Sequence, residues 1–162
     1  AAGLTEIAVI ARPRVSIITT GSELVQPGAT PVLGQVFDSN GTALAAAVVA
    51  AGAVVAARAH VTDDPAELIA ALAVPADLVL TSGGISMGDY EVVRELLEPR
   101  GASVGHVAMQ PGGPQATAVW GGVPEICLPG NPVRPQVSLG VLAAESSISS
   151  TRTRSPGRFS AR

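Results

Sequence analysis

The sequence predicts an α/β fold, a three-layer αβα sandwich built on a mostly parallel open sheet, and three observations carry that prediction. Short apolar runs alternate with segments whose apolar residues recur at helical spacing, which is the pattern of right-handed βαβ units. Two of these runs, Val15–Thr19 and Leu78–Leu80, lead straight into turns rich in hydroxyls and glycine. The chain is 47% hydrophobic but only 2% aromatic, so Val, Ala, Leu and Ile must fill the interior. That composition suits helices layered on a buried parallel sheet.

Taken in order, residues 1–13 form a lead-in closed by Arg12-Pro13-Arg14, and Val15–Thr19 is the first buried strand. It runs into Thr20-Gly21-Ser22-Glu23-Leu24, the position in an open α/β sheet where ligands gather at the carboxyl ends of strands. Pro27-Gly28 and Gly34 mark a loop. Asp38, Ser39 and Asn40 are all helix-capping types ahead of an alanine-rich helix over 42–51, which Gly52 stops. A second strand covers 54–57. Thr62-Asp63-Asp64-Pro65-Ala66-Glu67 then reads as a helix start, with an Asp cap, Pro at the first position and an acid in the first turn; that helix ends near Val74-Pro75. After the strand over 78–80 and its turn, Glu91–Leu97 is helical and stops at Pro99-Arg100-Gly101. Strands are expected over 103–108, 116–120 and 125–128, the last two around Gly121-Gly122. Pro129-Gly130-Asn131-Pro132 is a rigid loop, and 133–144 completes the fold as a helix. Residues 14–145 thus form one domain, and 146–162 a basic, disordered tail.

The bulk properties narrow the function classes. A chain of 162 residues is large enough for a single proper core. Four arginines (Arg152, Arg154, Arg158 and Arg162) stand in the tail, but without lysine and with Phe159 as its one aromatic the tail is not read as a nucleic-acid arm. No nucleic-acid partner is expected. Cys127 is alone, which rules out a disulfide framework and makes a reducing cytoplasm the default compartment; within Glu125-Ile126-Cys127-Leu128 it reads as a core residue. His60 and His106 are too isolated to suggest a metal site. The longest apolar stretch, 43–57, is too short and too alanine-rich to span a bilayer, no signal peptide is read, and no membrane association is expected.

The stretch with most chemistry in it is Leu78-Val79-Leu80-Thr81-Ser82-Gly83-Gly84-Ile85-Ser86-Met87-Gly88-Asp89-Tyr90. Paired glycines let the backbone take positive φ and approach a ligand, and the helix behind offers unpaired N–H groups suited to an anion. Asp89 and Glu91 would repel a phosphate unless a cation sat between, so the combination points to an anionic ligand held together with a divalent metal. The alternative is that Asp89 merely caps the helix.

Together, Thr20-Gly21-Ser22-Glu23-Leu24, Gly34-Gln35-Val36-Phe37-Asp38-Ser39-Asn40, Asp63-Asp64-Pro65, Ser82 to Tyr90 and Leu128-Pro129-Gly130-Asn131-Pro132 resemble one family in order and spacing, from about Pro13 to Leu142. It is the molybdopterin-binding domain of molybdopterin molybdenumtransferase, the MoeA and gephyrin E-domain type. The resemblance implies a role in molybdenum-cofactor biosynthesis: molybdate is inserted at the dithiolene of adenylylated molybdopterin, and AMP is released with help from a divalent cation, Mg²⁺. Carried over by position, it implies Glu23, Asp63 and Glu91 as catalytic acids, with Asp63, Asp89 and Glu91 around the metal. Thr20, Gly21, Ser82, Gly83, Gly84, Ser86, Gly88, Gly130, Asn131, Pro132 and Arg134 are implied as pterin- and molybdate-binding residues. By spacing alone Asp63 serves equally as a helix cap. A small homo-oligomer is implied as well, with other molybdenum-cofactor assembly proteins as partners.

The chain departs from the family where the family typically has Lys-Pro-Gly-Lys-Pro. Here the sequence is Gln110-Pro111-Gly112-Gly113-Pro114, and Arg134 is the substitute cation. Losing two charge-assisted contacts removes about 3–6 kcal/mol of anion binding. Three readings therefore stand side by side: a molybdenumtransferase-type enzyme domain, a molybdopterin-binding module without metal insertion, and a vestigial self-associating scaffold.

Overall fold

A computed structural model describes residues 6–9, 11–85, 91–106, 114–131 and 157–160, with the backbone alone for 6–8, 114 and 157–160. Among these residues ten strands and three α-helices follow in chain order: β1 (Glu6–Val9), β2 (Arg14–Thr20), β3 (Leu24–Val25), β4 (Val36–Phe37), α1 (Ser39–Ala50), β5 (Val54–Val61), α2 (Pro65–Leu72), β6 (Leu78–Ser82), α3 (Val92–Leu97), a 3-10 turn (Glu98–Arg100), β7 (Ser103–His106), β8 (Pro114–Trp120), β9 (Val123–Leu128) and β10 (Gly157–Ser160). The main sheet has the order β5-β2-β6-β9-β8-β7. β5, β2, β6 and β9 run parallel, whereas β8 and β7 are antiparallel to their neighbours. The expected open, mainly parallel sheet is present, with an antiparallel flank where Gly121 and Gly122, both at positive φ, turn β8 back into β9.

Burial on both faces follows directly from the pleat, because consecutive residues of a strand point to opposite sides. Ile17 packs with Leu44 and Val48 of α1, and Leu80, Ile126 and Leu128 join them. Their neighbours Ile18, Val79 and Cys127 face the other way, against Leu68 and Leu72 of α2 and Val93, Leu96 and Leu97 of α3. Val15, Ile17, Val79 and Leu80, all expected in the core, are each no more than 3% exposed. The central strands therefore read as unbroken apolar runs because both faces are covered.

Helix starts follow the capping chemistry. Asp38 caps α1 by accepting from Gly41 N, so the helix begins three residues earlier than its apolar spacing indicates. Asp64 caps α2 by accepting from Ala66 N, with Pro65 at the first position. β5 extends to Val61, longer than the expected 54–57, because β2 pairs with it along its whole length across a register shift between Val15 and Ser16. Gly157–Ser160, in the tail expected to lack structure, pairs antiparallel with Glu6–Val9; a backbone partner from the lead-in supplies its hydrogen bonds. The last expected helix, 133–144, lies outside the described residues. Among those described, no helix is long and apolar enough to cross a membrane.

Candidate functional site

Three adjacent parallel strands end at one edge of the sheet. Thr19 of β2 is level with Ser82 of β6, and Ser82 is level with Leu128 of β9. The turns that follow must therefore meet: Thr20-Gly21 after β2, Gly83-Gly84 after β6 and Pro129-Gly130 after β9. A cleft of about 330 Å³ opens there, lined by these turns and by Glu23, Asn40, Asp63, Ile85 and Glu91. This is the place where an open α/β sheet binds ligands. Of the residues singled out by sequence, Thr20, Gly21, Glu23, Asp63, Ser82, Gly83, Gly84, Glu91 and Gly130 come together in this cleft. Asn131 follows it, exposed. Ser86, Gly88, Asp89, Pro132 and Arg134 lie outside the described residues, as do Gln110 and Gly113.

The N–H groups of two of these glycines are engaged within the protein. Gly21 N donates to Val61 O and Gly83 N to Leu128 O, so both are engaged in holding neighbouring turns together. What Gly83 contributes is the absence of a side chain. At its φ of +101° a Cβ would meet both the carbonyl and the hydroxyl oxygen of Thr20 at 2.6 Å. A Cβ on Gly84 would stand 2.9 Å from Val93 Cγ2. The turn after β6 is thus pressed between the end of β2 and α3.

Ser82, expected to bind ligand, is 1% exposed, and its hydroxyl is in use. It accepts from Asn40 Nδ2 at 3.0 Å and donates to Pro129 O at 3.4 Å. Asn40 also donates to Gly130 O at 2.7 Å. One amide in the first turn of α1 therefore ties together residues 42 and 90 positions away along the chain. Asn40 reads by sequence only as a capping type; the actual cap is Asp38, 3% exposed, whose other oxygen accepts from Thr19 Oγ1 at 2.8 Å. The Asp-Ser-Asn run inside the family-like motifs is the signal that marks it.

The acids are held in different ways. Asp63 is not the cap of α2, since Asp64 is, and its Oδ2 accepts from Ser22 Oγ at 2.5 Å. Glu91 sits at the N-cap position of α3 without making a side-chain cap bond. Glu23 and Asp63 are exposed and Glu91 is half-buried. Among the described lining residues there is no arginine or histidine, and all ten basic Lys/Arg positions of the chain are arginine. This part of the cleft is acidic and rich in acceptors. Among the described residues no three His, Cys, Asp or Glu side chains are close enough to hold a metal by themselves. Mg²⁺, however, commonly takes one or two carboxylates and completes its octahedron with water and ligand phosphate oxygens. Asp63 and Glu91, both lining the cleft, offer the one or two carboxylate oxygens that such an ion takes.

A second hollow of about 310 Å³ lies on the α1 side, lined by Ile17, Gln26, Asp38, Arg58 and His60 among others. Its polar groups serve the fold: Arg58 donates to Thr42 Oγ1, and His60 Nε2 donates to the Gly21 carbonyl at 2.9 Å. A carbonyl only accepts, so that nitrogen carries the proton.

A doubly covered parallel sheet with glycine turns and carboxylates gathered at one edge is the architecture of an α/β domain that binds a small ligand at its strand ends. The family model described as "Probable molybdopterin binding domain" matches residues 16–146, and the chain belongs to that family. It is 48% identical over 151 residues to Molybdopterin molybdenumtransferase 2 of Mycobacterium tuberculosis, covering 87% of this chain and 37% of that protein. It is 40% identical over 135 residues to Molybdopterin molybdenumtransferase of a Nostoc species, covering 78% and 31%. This chain thus spans about a third of the length of these relatives. Among solved structures, the molybdopterin biosynthesis MoeA protein of Pyrococcus horikosii superposes with a TM-score of 0.66 at 34% identity, over 82% of this chain and 34% of that one. The tungsten cofactor synthesizing protein MoaB of Pyrococcus furiosus gives 0.63 at 18% identity, over 91% and 100%, a likeness of fold alone.

Proposed function

We propose that this domain serves molybdenum-cofactor biosynthesis by binding adenylylated molybdopterin in the cleft at the ends of β2, β6 and β9, and that it takes part in inserting molybdate at the dithiolene. The observation that carries this reading is the convergence of Glu23, Asp63 and Glu91 on one cleft with the turns after three parallel strands. Three carboxylates without a described cation repel a pyrophosphate. Asp63 and Glu91, with Asp89, would hold Mg²⁺, which when bound supplies positive charge beside the pyrophosphate. The chain's own part is to orient: the stitched turns give the cleft a fixed rim, and Ser22 holds the Asp63 carboxylate by a hydrogen bond. Within the same reading Asp89, Ser86, Gly88, Asn131, Pro132 and Arg134 complete the site. The domain acts in the cytoplasm as a small homo-oligomer, with other molybdenum-cofactor assembly proteins as partners.

The test is calorimetric titration of adenylylated molybdopterin with and without Mg²⁺, followed by metal insertion with added molybdate. Binding is expected to depend on the divalent ion and to weaken at least tenfold in Asp63→Asn, the loss of about one charged contact. Tight binding that ignores both chelator and Asp63→Asn would refute the reading. Gln110 and Gly113, where relatives of the MoeA type carry lysine, favour a second reading in which the chain binds but does not insert metal. Retained binding with insertion appearing only in Gln110→Lys with Gly113→Lys would select it.

A further inference from the structure

Asn40 is bonded in a way that leaves one atom over, and that atom identifies a ligand group. Its Nδ2 uses its two hydrogens on the Gly130 carbonyl and on Ser82 Oγ. Because a carbonyl can only accept, the amide orientation is fixed: nitrogen toward Gly130, oxygen away from it. Among the described residues Oδ1 then has no hydrogen-bond partner, although Asn40 is only 7% exposed and lines the cleft. A second buried group in the same cleft is in the same condition. Thr20 is 5% exposed, lines the cleft, and its hydroxyl is also without a partner. Buried acceptors are rarely left unpaired, and both of these line the cleft, where a bound ligand is placed to supply the donor.

The chemistry of that donor is constrained. A phosphate or molybdate offers only oxygen lone pairs, which an amide oxygen repels. The acids Glu23 and Asp63 are exposed to solvent, whereas Asn40 is enclosed and takes a directed donor. A pterin ring carries such a donor in its 2-amino group, which its 2-oxo counterpart lacks; the adenine of the adenylylated ligand carries another in its 6-amino group, so the test below uses ligands without adenine. We infer that Asn40 Oδ1 accepts from the amino edge of the pterin ring, making Asn40 the residue that selects a 2-aminopteridine over its 2-oxo counterpart. This inference rests on the pterin-binding reading above and adds which end of the ligand faces α1. The amide does two jobs with its two ends: nitrogen holds the turns after β6 and β9, and oxygen reads the ring.

The test displaces bound molybdopterin, with Mg²⁺ present, by pterin or by lumazine, which carries an oxo group at position 2. Wild-type protein is expected to bind pterin about tenfold more tightly than lumazine, the worth of one well-placed hydrogen bond. In Asn40→Ala that ratio shrinks to within about twofold. If Asn40→Ala weakens both ligands alike and preserves the ratio, Asn40 only ties the turns and the inference is overturned. Equal affinities in the wild type overturn it as well, and that comparison needs no variant to fold. Molybdopterin that binds but cannot be displaced by pterin also overturns it, since the ring is then not the part held. Molybdopterin that fails to bind at all removes the functional reading itself, a distinguishable result.

Discussion

Gly83→Ala is the substitution in which the geometry of the cleft and the stability of the fold are most directly linked. Two costs add. At φ +101° an alanine is in a region that L-residues avoid, at about 1–2 kcal/mol. Its Cβ would also stand 2.6 Å from Thr20 O and Thr20 Oγ1. The hydroxyl can rotate away, but the carbonyl belongs to the last residue of β2, which pairs with Val61 of β5, so the strand ends must separate. Such overpacking costs about 1–3 kcal/mol. The sum is about 2–5 kcal/mol. Gly122→Ala isolates the first cost, because Gly122 has φ +87° and no atom within 4 Å of its hypothetical Cβ; about 1–2 kcal/mol is expected there. Urea unfolding of the two variants measures the difference. With a slope of about 2 kcal/mol/M, a 3 kcal/mol loss moves the midpoint by about 1.5 M. Equal midpoint shifts in the two variants would refute the claim that the turn after β6 is wedged against Thr20.

Three further outcomes are expected. Burial pushes the Glu125 carboxyl up from its usual 4.5 to about 7; the folded protein holds this proton more tightly than the unfolded chain, so stability is full below about pH 4.5 and declines as pH rises toward 7. The loss is on the order of 3 kcal/mol, and Glu125→Gln should abolish that slope between pH 5 and 8 in urea titrations; an unchanged slope would assign it to other groups. Asp38→Ala removes the cap of α1 and the partner of the buried Thr19 hydroxyl, at about 2–4 kcal/mol by thermal unfolding, with Asp38→Asn retaining part of it; a loss below 1 kcal/mol would contradict this network. Finally, Gln110→Lys with Gly113→Lys should raise molybdate affinity in calorimetric titration and Arg134→Ser should lower it, while no response to either would show that these positions do not meet the anion.

What sequence reveals here and what it conceals divide along the range of the interaction. The strands over Val15–Thr19 and Leu78–Leu80 and the Asp64-Pro65 helix start are local patterns, set by runs of apolar residues and by capping chemistry. The turns at Thr20, Gly83 and Gly130 are local as well, and their meeting follows from parallel strands ending on one edge. The bonds of Asn40 are not local: its partners are 42 and 90 residues away, so nothing around it in the chain distinguishes it from a cap. The same holds for the N–H groups of Gly21 and Gly83, which look free in a glycine-rich turn and are taken by Val61 and Leu128. Glu125 sits in an apolar strand whose burial is predictable, but its carboxylate, 1% exposed and among the described residues bonded by Cys127 Sγ alone at 3.8 Å, follows from its position in the sheet.

The ties between the strand ends bear on binding kinetics. Gly21 to Val61, Gly83 to Leu128 and Asn40 to Gly130 each join a different pair of chain segments across the rim of the cleft. A rim assembled in this way needs little ordering when a ligand arrives, so little conformational entropy is lost on association. Ligands that differ by one ring substituent then meet the same ready-made surface at similar rates. If the inference about Asn40 holds, affinities of such ligands separate in the departure step, and residence time is where the difference is read.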